Sequence, residues 1–339
     1  MRTLILYQNG ATSLTNESLK IAKVLSEKGE TVSLAPYGDL IIPNIAFTRK
    51  GVEVIKPDKI IAFSSPFKST VRLLSYYNSR MLCNKMVWYT VIEGYCWKLH
   101  IREREIAKQV ETVVPSEYVR KLLTTSRLKV DKVVPHGIDF SIIPSEEKVR
   151  RYRERFLNRK ILLYIAGYHK RKGFEQLTEA VRYLKTIMKE PFIVNVHTNK
   201  DVFPKDVKDV VKVDLTFGTE KTEDVYAKIM GCDLFIYPSL CEGFGIPVLE
   251  AMRFKKPIVY NDAPAFNSFA VGYNVKPKDY GVLEEMEFTY PLNILDSKNF
   301  AETIKYALEN PKESAELGEK AYEKSLDYEV SKVYSVFAK

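Results

Sequence analysis

Cysteine is scarce in this chain: four residues in 339, at positions 83, 96, 232 and 241. Their spacing matches no zinc cluster and no dense disulfide framework, and it suits a reducing compartment. Long hydrophobic runs are missing as well. The apolar run in MRTLILYQNG, Leu4–Tyr7, spans only four residues, too short for a secretory core, and nothing approaches the roughly 20 apolar residues of a spanning helix. The expected location is therefore the cytoplasm. Histidine is equally thin, and His100, His136, His169 and His197 are too scattered for any pair to have ligand spacing. No Asp-x-Asp triplet occurs, so no clustered carboxylates offer a seat to a hard cation, and no metal is expected. Short-period repeats and low-complexity tracts are absent too.

What remains is a chain able to build cores. Hydrophobic residues make up 45% of it, and its length suits two domains of about 150 residues each. A net charge of +9 and a pI near 9.1 favour polyanionic or phosphorylated partners. Short apolar runs alternate with helical patterns: RTLILY, TVSLAP, KIIAFSS, KMVWYTV, ETVVPS and DKVVPHG. After the charged stretch Glu146–Lys160, read as an exposed, partly helical connector, the pattern restarts with KILLYIAG, a helix over Gln176–Met188, PFIVNVHT, DVVKVDL, CDLFIYPS and KPIVYND. Strand–helix–strand repeats imply right-handed crossovers and parallel sheets. Two such series predict an α/β protein of two doubly wound domains. The tail Phe300–Lys339 reads as helical.

CDLFIYPS ends a strand, and ligands of open parallel sheets sit beyond the carboxyl ends of strands. The next residues, Ser239–Gly245, therefore line a candidate site, and they lead through CEGFGIPVLEAM (Cys241–Met252). Gly243 and Gly245 permit unusual backbone angles and close approach. Pro247 suits the start of a helix running to about Lys255, and a helix N-terminus is a natural seat for phosphate. Glu242 in the loop and Glu250 in the first helical turn can each accept hydrogen bonds from ligand hydroxyls. Hydroxyls at two points with phosphate between them describe a sugar nucleotide. Taken singly, either glutamate reads as well as a solvated loop residue or a helix-dipole partner.

The stretch EGFGIPVLE resembles the E-x7-E signature of retaining glycosyltransferases of family 4. Around it, GCDLFIYPSLCEGFGIPVLEAMRFKKPIVYND, KVVPHGID, VPSEYVRKLL and AGYHKRKGFEQLTEAV resemble further segments of that family. The resemblance implies a GT-B fold, two facing Rossmann-like domains with an interdomain cleft. Residues 1–143 would form the acceptor-side domain and 144–325 the nucleotide-sugar domain, with the last helix, about 326–339, packing back on the first. Glu242 would lie near the donor sugar and phosphate, and Glu250 would hold the ribose. Gly243, Phe244, Gly245 and Ile246, with Gly167, His136 and Gly10, would contact the donor. Arg171 and Lys172, just before Gly173, would clamp the diphosphate, where fixed cations stabilise the charge that develops on the leaving group. The reaction implied is transfer from a UDP- or GDP-sugar to an acceptor hydroxyl with retention, by front-side attack and without a protein nucleophile, cofactor or metal.

The first half departs from the family pattern. Glu93, in WYTVIEGYCW, falls where the family often has a histidine, and YQNGATSLTNES offers only Gly10 where a Gly-Gly loop is usual. Acceptor recognition is thus unassigned: a glycan, a lipid or a protein glycan. Residues Pro66–Lys85 carry Lys68, Arg72, Arg80 and Lys85 without an acid, interleaved with Phe67, Tyr76 and Tyr77. Such a basic amphipathic helix either lies on an anionic membrane surface, making the protein peripheral, or packs its apolar face on the first sheet. No nucleic-acid motif accompanies the charge. Two other functions are compatible with the same motifs, a GT-B epimerase or phosphorylase and a non-catalytic nucleotide-sugar-binding protein.

Overall fold

The short apolar runs form strands, as their length and β-branched content direct. The computed structural model describes residues 1–8, 12–37, 56–67, 70–72, 74, 83–99 and 101–338. Gly10 and most of the Pro66–Lys85 stretch lie outside these residues. The chain divides into two units, Met1–Asp139 with Glu284–Tyr290 and Tyr328–Lys339, and Phe140–Leu283 with Pro291–Asp327.

In the first unit, β1 (Arg2–Gln8), β2 (Thr31–Tyr37), β3 (Lys59–Ser64), β4 (Lys85–Thr90), β5 (Glu111–Val114) and β6 (Lys132–Val133) form a parallel sheet in the order β2-β1-β3-β4-β5-β6. Helix α1 (Thr12–Glu27) buries Leu14, Ile21, Val24 and Leu25 against it. Helices α2 (Ile101–Ala107) and α3 (Glu117–Thr125) follow, and Ser116 caps α3 by accepting from Val119 N. The chain's end completes this core: Val330, Val333, Tyr334 and Phe337 pack with α1 and the strands. There the buried Lys59–Glu30 pair, at 3.2 Å, also holds the Phe337 carbonyl.

The second unit is doubly wound. Strands β7 (Lys160–Ile165), β8 (Phe192–His197), β9 (Val211–Asp214), β10 (Leu234–Tyr237), β11 (Ile258–Asn261) and β12 (Tyr273–Val275) run parallel in the order β12-β11-β10-β7-β8-β9. Helix α4 (Glu146–Glu154) enters it, α5 (Phe174–Ile187) links β7 to β8, and α6 (Thr222–Gly231) links β9 to β10. Helix α7 (Ile246–Arg253) links β10 to β11, and β13 (Pro277–Glu285) and β14 (Phe288–Leu295) pair as a separate hairpin. Last come α8 (Ser297–Glu309) and α9 (Pro311–Ser325). Right-handed crossovers put α5 on one face, where α8 packs on it, and α6 and α7 on the other, beside α4 and α9. Strand order reverses between β7 and β10. The loops after these two strands therefore flank the switch point at which such sheets take ligands.

The tail is helical, as its composition indicates, but in pieces: Pro311, which cannot continue α8, opens α9 instead, and a one-turn helix, Val330–Val333, between short 3-10 turns follows Ser325. Two local expectations are corrected. The connector is ordered on its inner side, where Tyr152 and Phe156 are buried. Glu250 is the fifth residue of α7 and so opens its second turn, not its first.

Candidate active site

Two glycines draw the loops of the switch point together. Gly173 ends a 3-10 turn, Lys170–Lys172, with φ +72°, and a Cβ there would meet the Pro238 carbonyl at 2.1 Å. Only glycine allows this approach. It brings Arg171 and Lys172 beside the end of β10, where Leu240 N donates to the Arg171 carbonyl at 2.8 Å. The Tyr164 hydroxyl fixes the turn by donating to the Lys172 carbonyl at 2.6 Å. Gly245, at φ +100°, caps α7, and a Cβ there would lie 2.3 Å from the Phe266 ring. Phe244 is buried and stacks on Phe269, with centroids 4.7 Å apart. Asn261 Nδ2 donates to the carbonyls of Ser239 (3.0 Å) and Asn293 (2.7 Å), pinning the loop from below.

Glu242 is the electrostatic centre of this arrangement. Only 4% of it is exposed. Its Oε1 accepts from Lys172 Nζ (2.5 Å), the Ser239 hydroxyl (2.7 Å) and the Tyr237 hydroxyl (2.9 Å), while Arg171 Nη1 stands 3.6 Å from Oε2. Arg171 Nη1 also donates to the Cys241 carbonyl at 3.0 Å. Burial pushes the Glu242 carboxyl up, but Lys172 and Arg171, with the Lys172 and Ser239 hydrogen bonds, together outweigh it and hold it below its ordinary value. Glu250, part-buried on α7, accepts from the Tyr226 hydroxyl at 3.3 Å. Tyr226 is itself covered by the Arg253 guanidinium, 4.9 Å from its ring.

The structure thus brings Arg171, Lys172, Glu242, Gly243, Phe244, Gly245, Ile246 and Glu250 to one end of the second sheet. Gly167 lies beyond β7 on the same edge, against the Phe217 ring. Glu93 and His136 belong to the first unit. Glu93 is part-buried in the loop after β4. His136 is buried, 3.2 Å from the Tyr89 hydroxyl and 3.7 Å from Glu17. Burial dominates its titration and lowers its pKa to about 4, against the opposing pull of Glu17. The sequence points to Ser239 only as a lining residue, not as a partner of Glu242, and does not single out Tyr226, Tyr237 or Asn261. Tyr237 and Ser239 are two apart on an extended segment, which puts them on one side, and that alternation was the available signal. Tyr226 lies in a different helix from its partner Glu250, and no local pattern links the two.

A second charged cluster closes the ends of β8 and β9. Lys228 Nζ reaches Asp214 (2.6 Å) and Glu220 (2.5 Å), and His197 Nε2 stands 3.7 Å from Glu220. These bonds tie the loop after β9 to α6. Among the described residues no group of three or more His, Cys, Asp or Glu side chains could hold a metal ion, and no helix is long and apolar enough to cross a membrane.

Known structures share this architecture. A glycosyltransferase from Rickettsia africae ESF-5 superposes with a TM-score of 0.75 over 99% of this chain and 96% of its own, at 14% identity. The pneumococcal O-GlcNAc transferase GtfA, solved with UDP and GlcNAc, gives 0.59 over 86% of this chain and 58% of its own, at 14% identity. Both are glycosyltransferases, and the class their fold defines here is the GT-B fold, two Rossmann-like parallel-sheet domains. Residues 145–324 match the family model of glycosyl transferases group 1. That is more than half of the chain, and the protein belongs to this family. Among its relatives, an uncharacterised glycosyltransferase of Sulfolobus islandicus rod-shaped virus 1 is 28% identical over 279 residues, 79% of this chain and 78% of that protein.

Proposed function

We propose that this glycosyltransferase moves a sugar from a nucleotide-diphosphate sugar to an acceptor hydroxyl, with retention of anomeric configuration and without a metal. The observation that carries the reading is the Arg171–Lys172–Glu242 cluster at the switch point, beside the N-terminus of α7. A departing diphosphate gains negative charge, and two cations with a helix N-terminus are suited to receive it. Glu242, almost wholly buried and already bonded, acts as the positioning residue that holds both cations in place. Its carboxylate prevents them from splaying and keeps the site's net charge modest until the phosphates arrive. Glu250, held by Tyr226, accepts from the ribose hydroxyls. The backbone of Gly243–Gly245, at the turn into α7, is assigned to the sugar and phosphates. Retention follows if the acceptor attacks on the face the phosphate leaves, with a phosphate oxygen taking the acceptor proton, so that no protein nucleophile is required. UDP- and GDP-sugars are the donors proposed, and a UDP complex of a protein of this fold supports the first.

A thermal-shift screen against UDP-, GDP- and ADP-sugars tests the reading, run with and without EDTA. A bound nucleotide at a hundredfold excess over its Kd should add about 2.7 kcal/mol. Equal shifts with EDTA support metal independence, and NMR of the product's anomeric proton reads retention. If no nucleotide sugar raises the melting temperature, the donor assignment is wrong.

A further inference from the structure

The loop after β4 carries a stacked aromatic pair, part-buried Tyr95 and exposed Trp97, that the donor chemistry leaves unused. Gly94 lets the chain segment around Thr289 press against this loop: a Cβ there would lie 2.7 Å from the Thr289 carbonyl. Tyr95 and Thr289 then exchange two backbone hydrogen bonds, of 2.8 and 3.1 Å. Cys96 N donates to the Ser126 hydroxyl at 2.9 Å, and Arg104 donates to the Trp97 carbonyl at 3.3 Å. With its backbone held at these points, the loop stacks Tyr95 on Trp97, with centroids 4.9 Å apart and planes 18° apart. Trp97 is nevertheless 46% exposed. An indole is normally among the most buried apolar groups, and leaving it half in water forgoes burial energy on the order of 1–2 kcal/mol. Charged residues of both signs lie in and beside this loop. Glu93 is two residues before Tyr95, and the exposed Lys98 donates to the Met286 carbonyl at 2.8 Å. Glu287 and Arg104 lie close enough to act on the buried thiol of Cys96, the residue between the two in sequence.

We propose that Tyr95 and Trp97 form a platform for a pyranose ring of a carbohydrate acceptor. The proposal rests on the transferase reading above and names its acceptor class. Sugar C–H bonds carry partial positive charge and meet the negative face of the indole, while ring hydroxyls reach Glu93 and Lys98 at its edge. The platform stands at the carboxyl end of β4, the edge at which parallel sheets receive ligands. A membrane surface is the competing occupant, because Ile101 and Met286 are also exposed, at 78% and 74%. Anionic lipid, however, calls for a cationic surround, and here Glu93 and Glu287 offset Lys98 and Arg104. A rigid stacked pair with mixed charges fits a sugar better.

Trp97 is its own reporter. The other tryptophan, Trp88, is fully buried and bonded to Ser64, so acrylamide quenching of the full chain reads Trp97. The probes are methyl glycosides of glucose, mannose, galactose and N-acetylglucosamine with their trisaccharides, and separately vesicles of phosphatidylglycerol and phosphatidylcholine. At least one sugar series should protect Trp97 severalfold, with affinity rising from monosaccharide to trisaccharide. Tyr95→Ala should abolish that protection while leaving the thermal shift caused by nucleotide sugars unchanged. No protection by any saccharide up to roughly 50 mM, well above weak millimolar binding, would overturn the proposal, as would protection by vesicles alone. Protection of Trp97 in a protein that no nucleotide stabilises would count against the donor reading of the second unit and leave the platform standing.

Discussion

Replacing Lys172 with methionine keeps most of the side chain's bulk and deletes its charge. Glu242 then retains Arg171 at 3.6 Å and the hydroxyls of Ser239 and Tyr237 at 2.7 and 2.9 Å, but loses its closest donor, at 2.5 Å. Stripping one partner from a buried ion pair costs about 3–5 kcal/mol. Because Arg171 remains, the low end of that range, about 3 kcal/mol, is expected. For a unit of this size, that lowers the melting temperature by about 6–12 °C. Glu242→Gln should cost a similar amount, since it leaves two cations without their counter-ion. The double variant should lose less than the sum, with a coupling of about 2 kcal/mol, because neither charge is then stranded. Both tryptophans belong to the first unit, so calorimetry is the assay rather than tryptophan emission. All three variants should turn over poorly, the double variant included, which separates the stability of the pair from its use. Single-variant shifts under about 2 °C, or free energies that add to within about 0.5 kcal/mol, would refute the coupling.

Glu250→Ala should weaken nucleotide binding by about 1.5–3 kcal/mol, at least tenfold, because it removes a charged hydrogen-bond acceptor; titration calorimetry with the free nucleoside diphosphate checks this, and an unchanged Kd would remove Glu250 from the site. Gly245→Ala should destabilise the second unit by more than 1 kcal/mol and blunt activity, since it adds strain at φ +100° to a Cβ placed 2.3 Å from Phe266; an unaltered melting temperature by calorimetry would contradict the close approach. For His136 the folded pKa, about 4, lies below its ordinary 6.5, so the unfolded chain binds the proton more readily and stability falls as pH drops from 6.5 toward 4. Urea titrations read by Trp88 emission should show a loss of up to about 3 kcal/mol over that window, with a flatter profile in His136→Gln. The Glu242 carboxyl, held below 4.5, gives stability that is present above pH 4.5 and lost only as pH falls further, through its folded value. The two slopes therefore separate by unit and by pH.

Much of the second unit was legible because fully buried parallel strands leave continuous apolar runs. KILLYIAG, PFIVNVHT and CDLFIYPS each mark a strand that the sheet then buries. The hairpin β13–β14 was not legible, because β13 alternates exposed and half-buried residues and presents no apolar run. Near the site, local chemistry announced the glycine-rich turn and the helix after it. The partners of Glu242 were harder to see. Lys172 lies 70 residues before it and arrives through the contact of Gly173 with Pro238, which no sequence period encodes. Tyr226 reaches Glu250 from another helix for the same reason. The loop after β4 is a similar case: WYTVIEGYCW gives no hint that Thr289 will hold Tyr95.

The buried carboxylate explains why two adjacent cations can be kept close together before any ligand is present. Arg171 and Lys172 are neighbours on a three-residue turn, and without Glu242 their mutual repulsion would favour open, solvated rotamers. Closing them onto a phosphate would then cost side-chain entropy at each turnover, about 0.5–1.5 kcal/mol per side chain. Glu242 takes that cost at folding instead. Its own burial is offset by Lys172, Arg171, Tyr237 and Ser239, so the charge is stable where it lies. On the proposed reading, a diphosphate arriving at this cluster would meet donors already in place, the condition under which electrostatic stabilisation of a leaving group is most effective. The same logic accounts for the order of the sequence elements. The glycine that permits the approach directly follows the two cations, and the carboxylate that holds them sits at the start of the turn into α7.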